Sequence, residues 1–169
     1  MARIVAFYSK DGNCKALAKV LADKYECDIF ELTEVKKRKD NFLSFMNCGR
    51  EAFFNKMSRL TVDAKEKLFP YDEIILVSPV WAGKVVPAIN KVLYCADLSG
   101  KKVTLYACQA SPELSALPKI KKRFKKLLLD KGALYNKCYG VQGASPGKEP
   151  FSYDRFQNFI SVLPDEPAV

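Results

Sequence analysis

A chain of 169 residues, 49% of them apolar, is long enough to close one hydrophobic core and too apolar for disorder, and no apolar run approaches the ~18 residues that a membrane span needs. Its 28 basic and 19 acidic residues leave a formal charge of +9, which draws in acidic proteins, anionic small molecules or polyanions. Six cysteines without CxxC spacing, in a chain with no histidine, exclude most zinc sites and Cys–His nucleophiles, so no metal and no catalytic side chain is expected.

The first apolar run, residues 3–8, reads as a buried strand with Ile4, Val5, Ala6 and Phe7 at its centre. It leads straight into the polar turn Tyr8-Ser9-Lys10-Asp11-Gly12-Asn13-Cys14 and then into a helix-patterned segment with Leu17, Val20 and Leu21 on one face. A helix start carries amides without intrahelical partners and the positive end of the helix dipole, so this turn outlines an anion seat. Gly12 removes a Cβ from the approach, Ser9 and Asn13 supply side-chain donors, and Lys10 and Lys15 supply charge. The plain alternative is a strand-to-helix turn with Asp11 or Asn13 as N-cap. No signal-peptide pattern precedes the strand, and the expected location is the cytoplasm.

Asp28 to Leu32 is mixed in polarity, as an edge strand is, and the basic cluster Lys36 to Lys39 follows it. The segment Phe42 to Phe54 is aromatic, with Phe42, Phe45, Phe53 and Phe54 near one helix face; core packing is expected of it, with a homodimer contact or a lid as the alternatives. Glu73 to Ser78 is almost uniformly apolar, the pattern of an inner parallel strand. It ends in Pro79-Val80-Trp81-Ala82-Gly83-Lys84, where the single tryptophan either stacks on a flat ligand or plugs the loop, and Gly83 permits a peptide to reorient.

A fourth strand-like run covers 102–108, and its loop, 108–116, precedes a helix with Leu117, Ile120, Phe124, Leu127 and Leu128 on one face. Lys119, Lys121, Lys122, Arg123, Lys125 and Lys126 lie opposite and read as a solvated face. A fifth run covers 134–141. Gly143 to Pro150 reads as a loop without chemistry, and Ser152 opens a last helix bearing Tyr153, Phe156, Ile160 and Leu163. Strands alternating with helices imply a parallel sheet covered on both faces, with ligand loops at 9–14, 79–84 and 108–116 beyond the strands' carboxyl ends. The cysteines read as small buried hydrophobes, although Cys14 and Cys108 fall in those loops.

Taken together, Tyr8-Ser9-Lys10-Asp11-Gly12-Asn13-Cys14 and Ser78-Pro79-Val80-Trp81-Ala82-Gly83-Lys84, with Pro87, resemble the flavodoxins and flavodoxin-like FMN proteins. Gly100 to Cys108 resembles that family's fourth strand, and Phe42 to Leu60 the helical insertion some members carry after the second. The resemblance implies an α/β three-layer sandwich with a five-stranded parallel sheet in the order 2-1-3-4-5, a domain over 1–163 and a tail over 164–169. It further implies FMN as cofactor, its phosphate held by Ser9, Lys10, Asp11, Gly12, Asn13 and Cys14. Pro79, Val80, Trp81, Ala82, Gly83 and Lys84 would surround the isoalloxazine, with Trp81 stacked on it and the Ala82–Gly83 peptide turning toward N5. Cys108, Gln109, Ala110 and Ser111 would line the ring's polar edge.

Two departures matter. Asp11 and Cys14 stand where the family carries hydroxyls, and a carboxylate against a phosphate costs on the order of 4 kcal/mol in a surface-like dielectric. Asp11 must therefore turn away, be offset by Lys10 or Lys15, or signal lost FMN binding. The charge is the second departure, since flavodoxins that serve basic partners are acidic. The expected function is a redox protein carrying one or two electrons to or from an acidic partner protein or a small acceptor. A quinone- or flavin-type reductase, or a cofactor-free module binding polyanions, are the alternatives; nucleic acid is disfavoured because the basic helix offers only Phe124 as an interleaved aromatic.

Overall fold

The computed structural model describes residues 1–39 and 41–161. The chain alternates β1 (Arg3–Phe7), α1 (Asn13–Tyr25), β2 (Asp28–Glu31), α2 (Phe42–Phe53), α3 (Ala64–Leu68), β3 (Glu73–Trp81), β4 (Lys84–Val85), α4 (Pro87–Cys95), β5 (Lys102–Gln109), α5 (Leu117–Asp130), β6 (Leu134–Gln142) and α6 (Tyr153–Ser161). The parallel strands run in the order β2-β1-β3-β5-β6, with β4 an antiparallel return paired only to the end of β3. Set β4 aside and this is the order that the family resemblance implies. Leu163 and residues 164–169 lie outside the described residues.

Period-two alternation along the strands feeds two cores. Ile4, Ala6, Ile74, Leu76 and Leu105 pack with Ile89, Val92 and Leu93 of α4 and with Ile120, Phe124 and Leu128 of α5 on one face. Val5, Phe7, Ile75, Val77 and Tyr106 pack with Leu17 and Leu21 of α1 and with Phe156 and Ile160 of α6 on the other. The middle of β3 is buried without interruption, as a strand with neighbours on both sides and helices on both faces must be. On α5 the apolar stripe faces the sheet while Lys119, Lys121, Lys122, Lys125 and Lys126 are exposed; Arg123 is only half exposed.

Two elements differ from the sequence expectation. Phe42, Phe45, Phe53 and Phe54 are not core residues: they are 74%, 53%, 56% and 65% exposed, and only Cys48 and Ala52 of α2 are buried. The reason is their placement: α2 meets the sheet chiefly at β3 and β4, and these four rings line an open cavity instead of packing on a sheet face. The segment after Ser78 is not an irregular loop either. β3 continues to Trp81 and reverses through Ala82 and Gly83, at φ 47° and 75°, into β4. Successive positive φ values are those of the tight hairpin turn whose twist matches a strand pair.

Phe124 is fully enclosed on α5, so Phe124→Ala is expected to lower unfolding stability by about 3–5 kcal/mol, whereas Lys122→Ala on the opposite face stays within about 0.5 kcal/mol, both read from urea midpoints.

Candidate functional site

The parallel register sets the last residue of β1, Phe7, beside Val77, four residues before β3 ends, and Tyr8 N donates to Val77 O at 3.2 Å. The turn after β1 and the hairpin after β3 therefore open on the same edge. In the first of these, the N-cap of α1 is Gly12 at φ 87° and has no side-chain cap, which corrects the alternative that Asp11 or Asn13 caps the helix. Gly12 N donates to Ser9 Oγ at 3.1 Å, while the first-turn amides that follow it have no intrahelical acceptor. A Cβ on Gly12 would meet Pro150 Cγ at 3.1 Å in a conformation L residues rarely adopt, so both backbone angle and space call for glycine. The carboxylate of Asp11 lies at the border of the cavity described below, with Lys10 Nζ 3.9 Å away.

Asn13 and Cys14 face inward. Asn13 Oδ1 accepts from Ala144 N at 2.9 Å and from Phe151 N at 3.0 Å, and its Nδ2 donates to Ala144 O at 3.4 Å. Its side chain is spent on fixing the loop from Gly143 to Phe151, leaving only its backbone amide to the turn. Cys14 is buried beneath that turn; burial, then its hydrogen bond with the Cys108 thiol, pushes its thiol well above the ordinary range. A Cβ on Gly143 would come within 2.6 Å of Cys108 Sγ, so the 143–151 loop closes here only because that position has no side chain.

A cavity of about 1470 Å³ runs from Lys10 and Asp11 to Val80, Trp81 and Ala82, with α2 as one wall and Pro146, Gly147 and Lys148 at its border. Trp81 is held from two directions. Tyr8 meets its ring edge-on, with centroids 5.7 Å apart, and the Arg38 guanidinium sits 5.1 Å from its centroid. Arg38 is itself clamped: Nε and Nη2 donate to Glu34, and Nη1 donates to Glu51 Oε2 of α2 at 2.7 Å. Glu34 is buried and also accepts from Tyr8 Oη at 3.0 Å. Burial works against the Arg38 charge, but the bonds to Glu34 and Glu51 outweigh it and raise its pKa. Burial, and then the Glu34 charge, likewise raise Tyr8.

Of the expected residues only Lys10, Asp11, Val80, Trp81 and Ala82 line this cavity; Ser9, Gly12, Asn13, Cys14 and Gly83 do not, and neither do the rest. Pro79 is a β3 residue paired with Cys108 of β5, and the Cys108 thiol is buried. Lys84 donates to Phe53 O and lines a smaller cavity. Gln109 is buried with its Nε2 unpartnered, Ala110 is half-buried beside it, and Ser111 Oγ donates to Glu113 Oε2 at 2.6 Å. None of the three borders the large cavity. What the sequence reading passed over is the pair Glu34 and Arg38 and the 146–148 border. Glu and Arg four residues apart is the one sequence signal for the pair, at the edge of the basic cluster Lys36 to Lys39.

The flavodoxin family profile matches residues 2–143, and the chain belongs to the flavodoxin family. In architecture it is similar to a Bacteroides uniformis protein assigned as a flavoprotein (TM-score 0.74, 22% identity, 95% of this chain and 97% of that one). It is similar also to a Lactobacillus acidophilus flavoprotein solved in complex with FMN (TM-score 0.63, 17% identity, 82% and 92% covered). Oxidised flavodoxin 2 of Bacillus cereus matches at TM-score 0.53 with 22% identity and 94% of each chain covered. Among curated proteins none matches this sequence. Among the described residues, no helix is long and apolar enough to cross a membrane.

Removing the guanidinium leaves the buried Glu34 carboxylate without its cation. Arg38→Met is expected to cost about 3–5 kcal/mol in urea unfolding, and adding Glu34→Gln to recover part of that loss, because no buried charge then remains unpaired.

Proposed function

We propose that this protein binds FMN in the large cavity and acts as a redox protein that accepts and returns one or two electrons. The observation that carries the reading is one continuous cavity joining the Lys10–Asp11 turn, which leads directly into the N-terminus of α1, to the flat aromatic Trp81. The residues present fit the group. The phosphate would be held by the backbone amides at the start of α1, with Gly12 allowing close approach and Lys10 countering Asp11. These amides do not depend on the missing hydroxyls, and the inward turn of Asn13 and Cys14 leaves the cradle to backbone donors. Trp81, with Arg38 and Tyr8 fixing its ring, would flank the isoalloxazine.

When bound, FMN supplies the one- and two-electron chemistry; the chain supplies orientation and electrostatics. Ala82, an L residue held at positive φ beside Gly83, forms the peptide that the family resemblance turns toward the flavin N5. Asp11 is the residue working against phosphate. Asp11→Ser is therefore expected to tighten FMN binding about three- to tenfold at low salt, with the gain shrinking as salt is raised, measured by quenching of flavin fluorescence. Protein that leaves free FMN fluorescence unchanged, in both forms, contradicts the reading.

The net charge of +9 favours an acidic protein as redox partner. One observation favours reduction of a small molecule instead: about 1470 Å³ exceeds the roughly 300–1,000 Å³ that a ligand site usually offers, and the lining includes the apolar Phe42, Phe45 and Met46. A reductase with room for an apolar acceptor turns over a nicotinamide donor with a quinone at steady state. A pure carrier shows very little such turnover.

A further inference from the structure

We propose a second ligand site, for a small organic anion carried on an apolar body, in the cavity between the β3–β4 hairpin and helices α4 and α5. The cavity measures about 500 Å³, within the usual range of roughly 300–1,000 Å³ for ligand pockets. Its floor is apolar, formed by Leu93, Ile120 and Phe124, and its charged lining is entirely cationic: Lys84, Lys119 and Arg123.

The charge is built in. Arg123 is positioned by neutral acceptors, with Nη1 and Nη2 each donating to Asn90 Oδ1 at 3.2 Å and Nη2 donating to Tyr94 Oη at 3.2 Å. Asn90 is completely buried and is fixed in turn by donating from Nδ2 to Lys56 O at 3.2 Å. These bonds use three of the five guanidinium N–H groups and leave two for a ligand. Among the described residues, no ion pair joins Lys84, Lys119 or Arg123 to a carboxylate. A half-exposed guanidinium pre-oriented over an apolar floor, without a counter-charge, is complementary to a carboxylate or phosphate whose attached group is apolar. A neutral apolar ligand would leave the cations unused, and a bare inorganic anion would leave the floor wet. Phe53 and Ala82 line this cavity and the larger one alike, so the anion sits across the hairpin tip from the proposed flavin chamber. The site does not depend on the flavin reading.

The test compares naphthalene-2-carboxylate with its neutral carboxamide in flavin-free protein, using calorimetry for affinity and backbone amide NMR shifts for location. The carboxylate is expected to bind at least about tenfold more tightly than the carboxamide, to weaken with salt, and to shift Gly83, Ala116 and Lys119. Lys119 is exposed, so Lys119→Glu preserves the fold; it is expected to weaken the carboxylate at least about tenfold and leave the carboxamide unchanged, with Arg123→Met as a second variant in the same direction. Equal affinity for the two probes, shifts confined to Phe42 and Phe45 of the large cavity, or binding of hexaglutamate but not of the small carboxylate would overturn the proposal. A parallel FMN titration reports on the flavin reading separately, since neither site's occupancy is needed to detect the other.

Discussion

Parallel pairing of β1 with β3 is the constraint on which the site depends. Because Phe7 lies opposite Val77 and both strands point the same way, the turn beginning at Ser9 and the hairpin centred on Ala82 must leave the sheet together. A slip of one residue would exchange the two faces of β1, moving Ile4 and Ala6 into the core now filled by Val5 and Phe7. The hydrophobic pattern that fixes the core therefore also fixes the distance between the two ends of the cavity.

Around that frame the chain adds two polar devices, both distant in sequence from the groups they hold. The Asn13 side-chain amide acts as a staple, trading away any ligand role in order to bind the backbone of Ala144 and Phe151. The Glu34–Arg38–Glu51 cluster ties the aromatic α2 wall to Trp81. Holding these charges half out of water is costly, and the cluster repays this only as a complete set, with Tyr8 filling a further Glu34 lone pair. Both devices order the rim of the cavity instead of its floor.

The fold was legible because it is written in periodicities. The nearly uniform apolar run from Glu73 to Ser78 against the mixed polarity of Asp28 to Leu32 separates an inner from an edge strand by pattern alone, and the burial of the two strands agrees. Of the candidate cavity, the sequence outlined part of two borders, through the turn at Lys10 and Asp11 and the hairpin with the one tryptophan. Its details were not legible. Asn13 looks like a donor in the sequence and is a staple in the fold, because its partners lie more than a hundred residues away. The phenylalanines of α2 look like core, yet composition alone does not say that this helix walls an open cavity instead of covering a sheet face. Arg38 sits in a run of lysines, and only tertiary structure sets it against an indole.

Trp81 is the single tryptophan, so its emission reports one end of the cavity, while the backbone amides of Lys10 to Lys15 report the turn at the other end and the α1 N-terminus that follows it. Following both during one FMN titration tests the account most directly. Quenching of Trp81 and shifts of those amides along the same saturation curve, at one flavin per chain, are the predicted result. Quenching without amide shifts, amide shifts without quenching, or neither would contradict a single site spanning the two turns.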